Sequence, residues 1–177
     1  MAEILRSVRK ERGWTLEGLA QRSGVSRAML SQIEARKANP TIAVLWKIST
    51  AFGLNFSALL GEEGSQDVTL VRRAEIQVLR SADGKFESRP LYPRGVNRKA
   101  ELYELRLASG GRSEGPPHPP GTRENLVVVR GCLTIEVGDK CYPVGEGDAI
   151  EFAADVPHVY QNPGPGLFLG YEVIEYR

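Results

Sequence analysis

Apolar residues follow two different periods along the chain. Up to about residue 60 they return every three or four positions, which is the period of a helix with one buried face. After residue 67 they come in short runs separated by Gly and Pro clusters, such as SGGRSEGPPHPPG and NPGPG, which is typical of strands and turns. The change predicts an α + β protein of two domains, a helical one over 1–60 and a β one over 68–177. The small, acidic stretch 61–67 between them is predicted to be a linker.

The helical part predicts two consecutive helices joined by a tight turn. Leu16 and Leu19 share one face of the first helix, and Leu30 and Ile33 share one face of the second. Gly24, between the two helices, tolerates the positive φ that such a turn requires. Both helices are therefore predicted to pack their apolar faces on a common core.

Other signals complete a five-helix bundle. Thr15 and Ser26 are placed to cap the two central helices with their hydroxyl groups. The charged start of the chain predicts an amphipathic first helix, a helical period continues through 41–52, and 57–60 predict a short fifth helix.

The outward face of the second central helix predicts DNA binding. A structural helix pair would more often carry alternating Glu and Lys there, as a solvated surface. Short or hydrogen-bonding side chains that end in a positive charge suit an element placed in the major groove. The face carries Arg27, Ala28, Ser31, Gln32 and Arg36.

These residues resemble the helix-turn-helix domain of phage-repressor or XRE-type regulators. The matching pattern runs L-x-x-L-A-x-x-x-G-V-S, then L-S-x-I-E, then N-P, between residues 16 and 40. The resemblance implies that base edges are read by Arg27, Ala28 and Gln32, with Ser31 beside them. It implies phosphate contacts at Thr15, Arg36 and Lys37, and we add the cap residue Ser26 to the predicted DNA contacts.

Three positions refine this interpretation. Arg9 and Glu34 match a structural ion pair of the family, so Arg9 is not counted among the DNA contacts despite its charge. Leu16 stands where the family often carries a glutamine that contacts DNA. Because leucine cannot make that hydrogen bond, base reading is expected to depend more on the recognition helix.

The charge distribution agrees with a DNA-binding N-terminal part. Residues 1–60 hold nine Lys or Arg and four Asp or Glu, whereas the other 117 residues hold 14 basic and 18 acidic side chains. The formal net charge of +1 therefore combines a basic helical part with an acidic β part. Counterion release favours binding of the basic part to DNA phosphates. The acidic part discourages non-specific binding to DNA.

Composition excludes several other classes of protein. No run of about 18 apolar residues is present, and the charged N-terminus does not read as a signal peptide. Cys132 and Cys141 are too few for a disulfide framework and lie at unequal distances from the predicted turn at Gly138 and Asp139. We expect two free thiols in a cytoplasmic protein.

The β part is predicted to be an antiparallel sandwich or barrel, since many short strands follow one another with no helical stretch between them. The clearest predicted strands are 68–72, 76–79, 101–107, 125–129, 133–137, 149–152 and 167–174.

Two clusters around the only histidines resemble the paired motifs of the cupin family. Motif one of that family reads G-x5-H-x-H-x3,4-E-x6-G, and here His118, Glu124 and Gly131 match it, with Pro120 in place of the second histidine. Motif two is present in a stretched form that ends at His158. The resemblance covers residues 68–177 and implies a cupin or jelly-roll β-barrel.

The resemblance further implies a metal site with three of its four usual ligands, which are His118, Glu124 and His158. Two histidines and one carboxylate suit a divalent transition metal such as zinc, iron, nickel or manganese, with open positions for a ligand. The alternative is that Pro120 marks a site without metal, in which the polar residues bind an organic ligand directly.

A ligand pocket is expected around these residues. Tyr160 shares the strand parity of His158 and is predicted to face the pocket. Arg112 and Arg123 lie in or near the loop that carries His118, where an arginine can pair with a ligand carboxylate. Val127 and Val129 have the opposite parity to Glu124, which suggests an outer face buried by a second sheet or a second subunit.

Together the two parts predict a homodimeric transcriptional regulator that binds operator DNA and senses a small-molecule effector. The main alternative is a metal-dependent cupin enzyme, an oxygenase or isomerase, fused to a DNA-binding domain. A third interpretation is a DNA-binding protein whose cupin part only dimerises. No catalytic residue is predicted.

Overall fold

The computed structural model describes residues 1–54, 56–59, 68–92 and 99–176. It divides into two compact units, one that holds the helices and one that holds the strands from Val68 onward. The predicted linker 61–67 and the last residue of the predicted fifth helix, Leu60, lie outside the described residues.

Among its described residues, the helical unit contains four α-helices rather than five. They are α1 (Ala2–Glu11), α2 (Leu16–Ser23), α3 (Arg27–Glu34) and α4 (Ile42–Phe52). The predicted fifth helix is wrong as an α-helix, because Phe56–Leu59 form one turn of 3-10 helix instead. Four residues are too few for α-helical hydrogen bonds to accumulate, and 3-10 geometry is the usual form of such short segments.

The core of this unit lies between the helices, as the apolar pattern predicts. Leu19, Leu30, Ile33 and Ile48 are fully buried there. Thr15 and Ser26 accept backbone hydrogen bonds as caps of α2 and α3, and Gly24 adopts a φ of 66°. The predicted caps and turn are therefore confirmed in detail.

A part-buried ion pair joins α1 to the end of α3. The Nε and Nη2 atoms of Arg9 donate to the two carboxylate oxygens of Glu34 at 2.6 and 2.9 Å. Arg9 also donates to the backbone carbonyl of Trp14 at 2.7 Å. Because the Arg9 guanidinium donates these three hydrogen bonds within the domain, the geometry agrees with a structural role for Arg9.

We expect Glu34→Ala to lower the free energy of unfolding by about 2 kcal/mol, since it removes both charge-assisted hydrogen bonds of the part-buried Arg9 guanidinium. Glu3→Ala is the matched control, because it removes a carboxylate paired with Arg36 where both side chains are mostly exposed. Its cost is expected to stay below about 1 kcal/mol. Urea denaturation followed by circular dichroism measures both, and equal losses would contradict a special role for the Arg9–Glu34 pair.

The second unit consists of antiparallel strands. The structure describes β1 (Leu79–Arg80), β2 (Phe86–Pro90), β3 (Ala100–Leu107), β4 (Arg112–Gly115), β5 (Arg123–Arg130), β6 (Cys132–Val137), β7 (Lys140–Gly145), β8 (Ala149–Ala153), β9 (His158–Gln161) and β10 (Phe168–Glu175). They form a six-stranded sheet in the order β1-β2-β3-β10-β5-β8 and a four-stranded sheet in the order β4-β9-β6-β7.

The predicted closed barrel is wrong, because the described strands form two separate sheets with no ladder joining their edges. The predicted strand at 68–72 is also absent, and Val68 and Leu70 are exposed there. β-branched residues favour a strand only where a neighbouring strand and a core accept them, and this segment has neither. β2, β4 and β7 were not predicted, since their sequences are rich in polar residues, Gly and Pro.

The inner faces of the strands carry the core of the unit. Leu126 and Val128, which share the strand parity of Glu124, are buried together with Tyr103 and Phe168. The expected burial of Val127 and Val129 is not found in the single chain, where each is 41% exposed. Alternation along β5 places them on the outer face, and none of the described strands forms a second layer over them. Cys132 and Cys141 are free thiols, as expected.

Candidate functional sites: the α3 surface and a buried His–Glu–His cluster

The α3 helix presents one polar face to solvent. Leu30 and Ile33 are buried on its inner side. All four predicted base-reading and neighbouring residues are exposed on the helix: Arg27, Ala28, Ser31 and Gln32. Met29 is also exposed, at 37%, and sequence reasoning missed it. An exposed apolar residue in the first turn of such a helix can contact the methyl group of thymine.

Both cap hydroxyls remain able to donate. Thr15 Oγ1 accepts from the Gly18 amide at 3.0 Å, and Ser26 Oγ accepts from the Met29 amide at 3.2 Å. A hydroxyl that accepts as a cap still has its own proton to donate. Because phosphates also favour helix N-termini, each cap is chemically suited to contact the DNA backbone.

The end of α3 carries two exposed cations. Arg36 adopts a φ of 58°, and the Lys37 amide donates to the Gln32 carbonyl at 2.8 Å, which closes the helix. The Arg36 guanidinium pairs with Glu3, but both side chains are mostly exposed. A DNA phosphate can therefore replace Glu3 as the partner of Arg36 at little cost in free energy. Lys37 has no ion-pair partner among the described residues.

The three predicted metal ligands come together inside the β unit. His118 lies in the loop before β5, Glu124 on β5 and His158 on β9, and all three are buried. One ligand atom from each lies within 4.8 Å of the others. The Glu124 Oε1 atom is 2.5 Å from His118 Nε2 and 3.6 Å from His158 Nε2. Two sheets thus bring together residues up to 40 positions apart in the sequence.

Hydrogen bonds orient the ligand atoms. His158 Nδ1 lies 2.9 Å from the Val156 carbonyl, which can only accept, so Nδ1 donates this hydrogen bond and the ring is held with Nε2 facing the cluster. Burial alone would raise the pKa of Glu124. The nearby charge and hydrogen bond of His118, followed by His158 and Tyr160, outweigh burial and lower that pKa to about 2. The carboxylate is therefore ionised.

Glu172 on β10 is a further buried acid that the sequence did not point to. Tyr160 Oη hydrogen-bonds to Glu124 Oε2 and, at 2.6 Å, to Glu172 Oε1. Burial, followed by the Glu124 charge, raises the pKa of Glu172 well above its ordinary value. The Tyr160 hydroxyl has only one proton to donate, although it lies between two carboxyl groups. A protonated Glu172 supplies the second proton, so that both hydrogen bonds can form.

Glu172→Gln is expected to stabilise the metal-free protein increasingly as the pH rises from 5 to 8. A carboxyl with a raised pKa in the fold contributes its full stability below its unfolded pKa and loses it as the pH rises, by up to about 1.4 kcal/mol per pH unit. Glutamine stays neutral and can still donate to Tyr160. Denaturation midpoints in a chelator measure the difference. The exposed Glu114→Gln serves as control, and an equal pH dependence in both variants would refute the expectation.

The two predicted ligand-binding arginines do not join the cluster. Arg112 is on β4, exposed, and paired with Glu114 and Glu136. Arg123 precedes Glu124 on β5, so alternation points it to the outer face, where it pairs with Glu151. It also lines a cavity of about 250 Å³ formed with Lys99, Ala100, Gly121, Glu175 and Tyr176. Of the predicted pocket residues, only Tyr160 therefore contacts the cluster.

The cluster fits a divalent metal ion by its donor chemistry. Two imidazoles and one ionised carboxylate converge in a buried site, and the Nδ1 hydrogen bond of His158 already orients its Nε2 towards the other two. His118 would have to give up the proton that its Nε2 shares with Glu124. Pro120 is exposed rather than at the cluster, so the described donor set has three members.

Comparisons with known proteins identify both the helical part and the β part of the chain. A helix-turn-helix family model matches residues 5–59, and a cupin domain model matches residues 103–170. The HTH-type transcriptional regulator SutR of Escherichia coli is 33% identical over 177 residues, which cover 99% of this chain and 94% of the relative. The HTH-type transcriptional regulator PuuR of the same organism is 22% identical and covers 92% and 88%.

Solved structures give the same result. The crystal structure of an HTH_3 family transcriptional regulator from Vibrio cholerae matches with a TM-score of 0.79 and 29% identity, over 99% of this chain and 94% of that one. Hydroxypropylphosphonic acid epoxidase from S. wedmorenis matches with a TM-score of 0.53 and 18% identity, over 99% and 96%. This second match shows a shared fold and nothing more. No helix among the described residues is long and apolar enough to span a membrane.

Proposed function

The chain belongs to the family of HTH-type transcriptional regulators that carry a cupin domain, and we propose that its His–Glu–His cluster is the core of the effector site. The buried convergence of His118, Glu124 and His158 supports this proposal above all. The exposed face of α3 binds operator DNA, with bases read by Arg27, Ala28 and Gln32 and Ser31 beside them. Phosphate contacts come from Thr15, Ser26, Arg36 and Lys37.

At the effector site, His118, Glu124 and His158 would hold a divalent transition metal, which would offer open coordination positions to oxygen or nitrogen atoms of a small ligand. Tyr160 keeps Glu124 in place through its hydroxyl group. Phe152 packs beside His158, with ring centroids 5.5 Å apart, and helps to exclude water. Small anionic or chelating molecules fit such a site best.

Two copies of the chain are needed to read a paired operator. A single helix-turn-helix contacts too few bases for useful specificity, and recognition helices of a two-fold dimer contact half-sites about 34 Å apart or a multiple of that distance. The effector alters DNA affinity only through its differential affinity for the DNA-bound and free arrangements. We place the protein in the cytoplasm, where its DNA lies.

The regulator is favoured over the enzyme, because the full-length relative at 33% identity is named as a transcriptional regulator. The likeness to an epoxidase extends only to the fold.

The direct test is a mobility-shift titration with DNA from the protein's own promoter region and with a shuffled sequence of equal length, at 50 and 200 mM salt. We expect tight, salt-sensitive binding to the first and much weaker binding to the second. Equal affinity for both would contradict sequence-specific regulation by this chain.

A further inference from the structure

Tyr160 reaches from one sheet of the β unit to two buried acids of the other sheet. It lies on β9, whereas Glu124 and Glu172 lie on the neighbouring strands β5 and β10. The ladder pairs Glu124 with Ile174, so Glu172 is the diagonal neighbour of Glu124 on the same face. The Tyr160 hydroxyl group hydrogen-bonds to Glu124 Oε2 and, at 2.6 Å, to Glu172 Oε1. One hydroxyl group therefore contacts both acids.

The two carboxylate oxygens of Glu124 have different surroundings. Oε1 lies 2.5 Å from His118 Nε2 and 3.6 Å from His158 Nε2, so it faces the centre of the cluster. Oε2 instead accepts the hydrogen bond from Tyr160. A carboxylate can bind a cation through one oxygen or through both. A hydrogen bond that occupies one of the two oxygens favours binding through the other one alone.

Aromatic contacts hold the ring of Tyr160 in place. Phe86 stacks on it with a centroid distance of 6.2 Å and an interplanar angle of 18°. Phe152 and His158 contact it edge-on, with centroid distances of 6.5 and 5.9 Å. Because these contacts fix the ring and Glu172 binds its hydroxyl group, the Glu124 side chain meets a partner that is already in position.

We propose that Tyr160 and Glu172 are positioning residues, which hold Glu124 so that it offers a divalent metal ion one oxygen, Oε1, rather than two. The inference rests on the proposed function, in which the cluster holds such an ion at the core of the effector site. With His118 and His158, one carboxylate oxygen gives three protein donors, whereas two oxygens would give four. The positioning therefore leaves one more coordination position for the effector, which favours molecules that chelate the ion through two atoms or more.

A second pair of a tyrosine and an acid in the same unit provides a matched control. Tyr103 donates to Glu101 Oε2 at 2.5 Å, and each of the two residues is 1% exposed. Ile174 pairs with Glu101 on one side and with Glu124 on the other, so the two acids lie two strands apart. Glu101 is not among the described residues that converge as candidate metal ligands. Tyr103→Phe thus removes a comparable buried hydrogen bond that does not involve Glu124.

Titration of the metal-free chain with Co²⁺ tests the proposal, since the visible absorption bands of the bound ion report its coordination. Tyr160→Phe is expected to raise the Co²⁺ dissociation constant about 10-fold or more and to change the bands, because both Glu124 oxygens then become available. Glu172→Leu, which removes the hydrogen bond to Tyr160, should act in the same direction with a smaller effect. Glu172→Gln can still donate to Tyr160 and should stay within about 3-fold of the natural chain, as should Tyr103→Phe.

Unchanged affinity and unchanged absorption bands in Tyr160→Phe would overturn the proposal. A Glu172→Gln variant no better than Glu172→Leu, or an equal loss in Tyr103→Phe, would overturn it as well. Thermal denaturation in a chelator shows whether each variant is folded, and the two Glu172 variants decide the matter if Tyr160→Phe does not fold. A natural chain that binds no Co²⁺ would contradict both the positioning and the metal-bound effector site, whereas failure of the variants alone would contradict only the positioning.

Discussion

Replacing Arg27 and Gln32 together by alanine is expected to weaken operator binding at least 100-fold at 0.15 M salt. Both side chains are exposed on α3, opposite to Leu30 and Ile33, so their removal leaves the core unchanged. Each good contact to a base edge discriminates by about 1–3 kcal/mol, and a dimer makes every contact twice. Binding to shuffled DNA should change much less, because phosphate contacts supply it.

The matched control removes one cation and one amide from the other unit, as Lys85→Ala/Gln161→Ala. Both of these residues are exposed on the β unit, and we expect operator affinity within 3-fold of the natural chain. Fluorescence anisotropy measures the dissociation constants of both variants for the labelled operator duplex and for the labelled shuffled duplex. If the α3 variant lost affinity for both duplexes equally, α3 would be a phosphate-binding element and not the base reader.

The second large effect is expected at the buried cluster. Protein purified without added metal or chelator should contain close to one equivalent of a first-row transition metal, and His158→Ala should retain less than a tenth of it. With His158 gone, His118 and Glu124 alone cannot hold an ion against competing water and buffer. Elemental analysis gives the metal content, and native mass spectrometry gives the stoichiometry for each chain.

Gln161→Ala provides the control on the same strand, since Gln161 is exposed whereas His158 is buried. It should keep the metal content of the natural chain. The natural protein could also contain no metal, even after it has been refolded with added zinc, iron, nickel or manganese. This result would show that three ligands are insufficient without a histidine at the position of Pro120. The effector would then have to bind the cluster through hydrogen bonds alone.

The helical unit was predictable because its signals are local. Thr15 caps α2, Gly24 makes the turn and Ser26 caps α3 through contacts that span at most four residues. The apolar face that positions Leu30 follows directly from the helical period. Only the type of the last helical segment was misjudged, because local periodicity does not determine whether one turn becomes α or 3-10 helix.

The candidate site was predictable only in part. His118, Glu124 and His158 could be named because they stand at motif positions, and the structure brings them together. Glu172 could not be named, since it is linked to Tyr160 only across the two sheets and follows no motif. Arg112 and Arg123 were assigned to the pocket from their position near the histidine loop, but strand alternation and the acids beside them hold both outside it.

The sequence by itself therefore determined the helix-turn-helix, the change to β-structure and the identity of three converging ligands, because short-range periods and spaced motifs encode them. Only the tertiary structure decided which faces meet, since the two-residue period of a strand distinguishes two faces without saying what covers either. It brought Glu172 into hydrogen-bond contact with Tyr160, and it left Val127 and Val129 exposed. Those long-range contacts supply the hydrogen-bond network of the site.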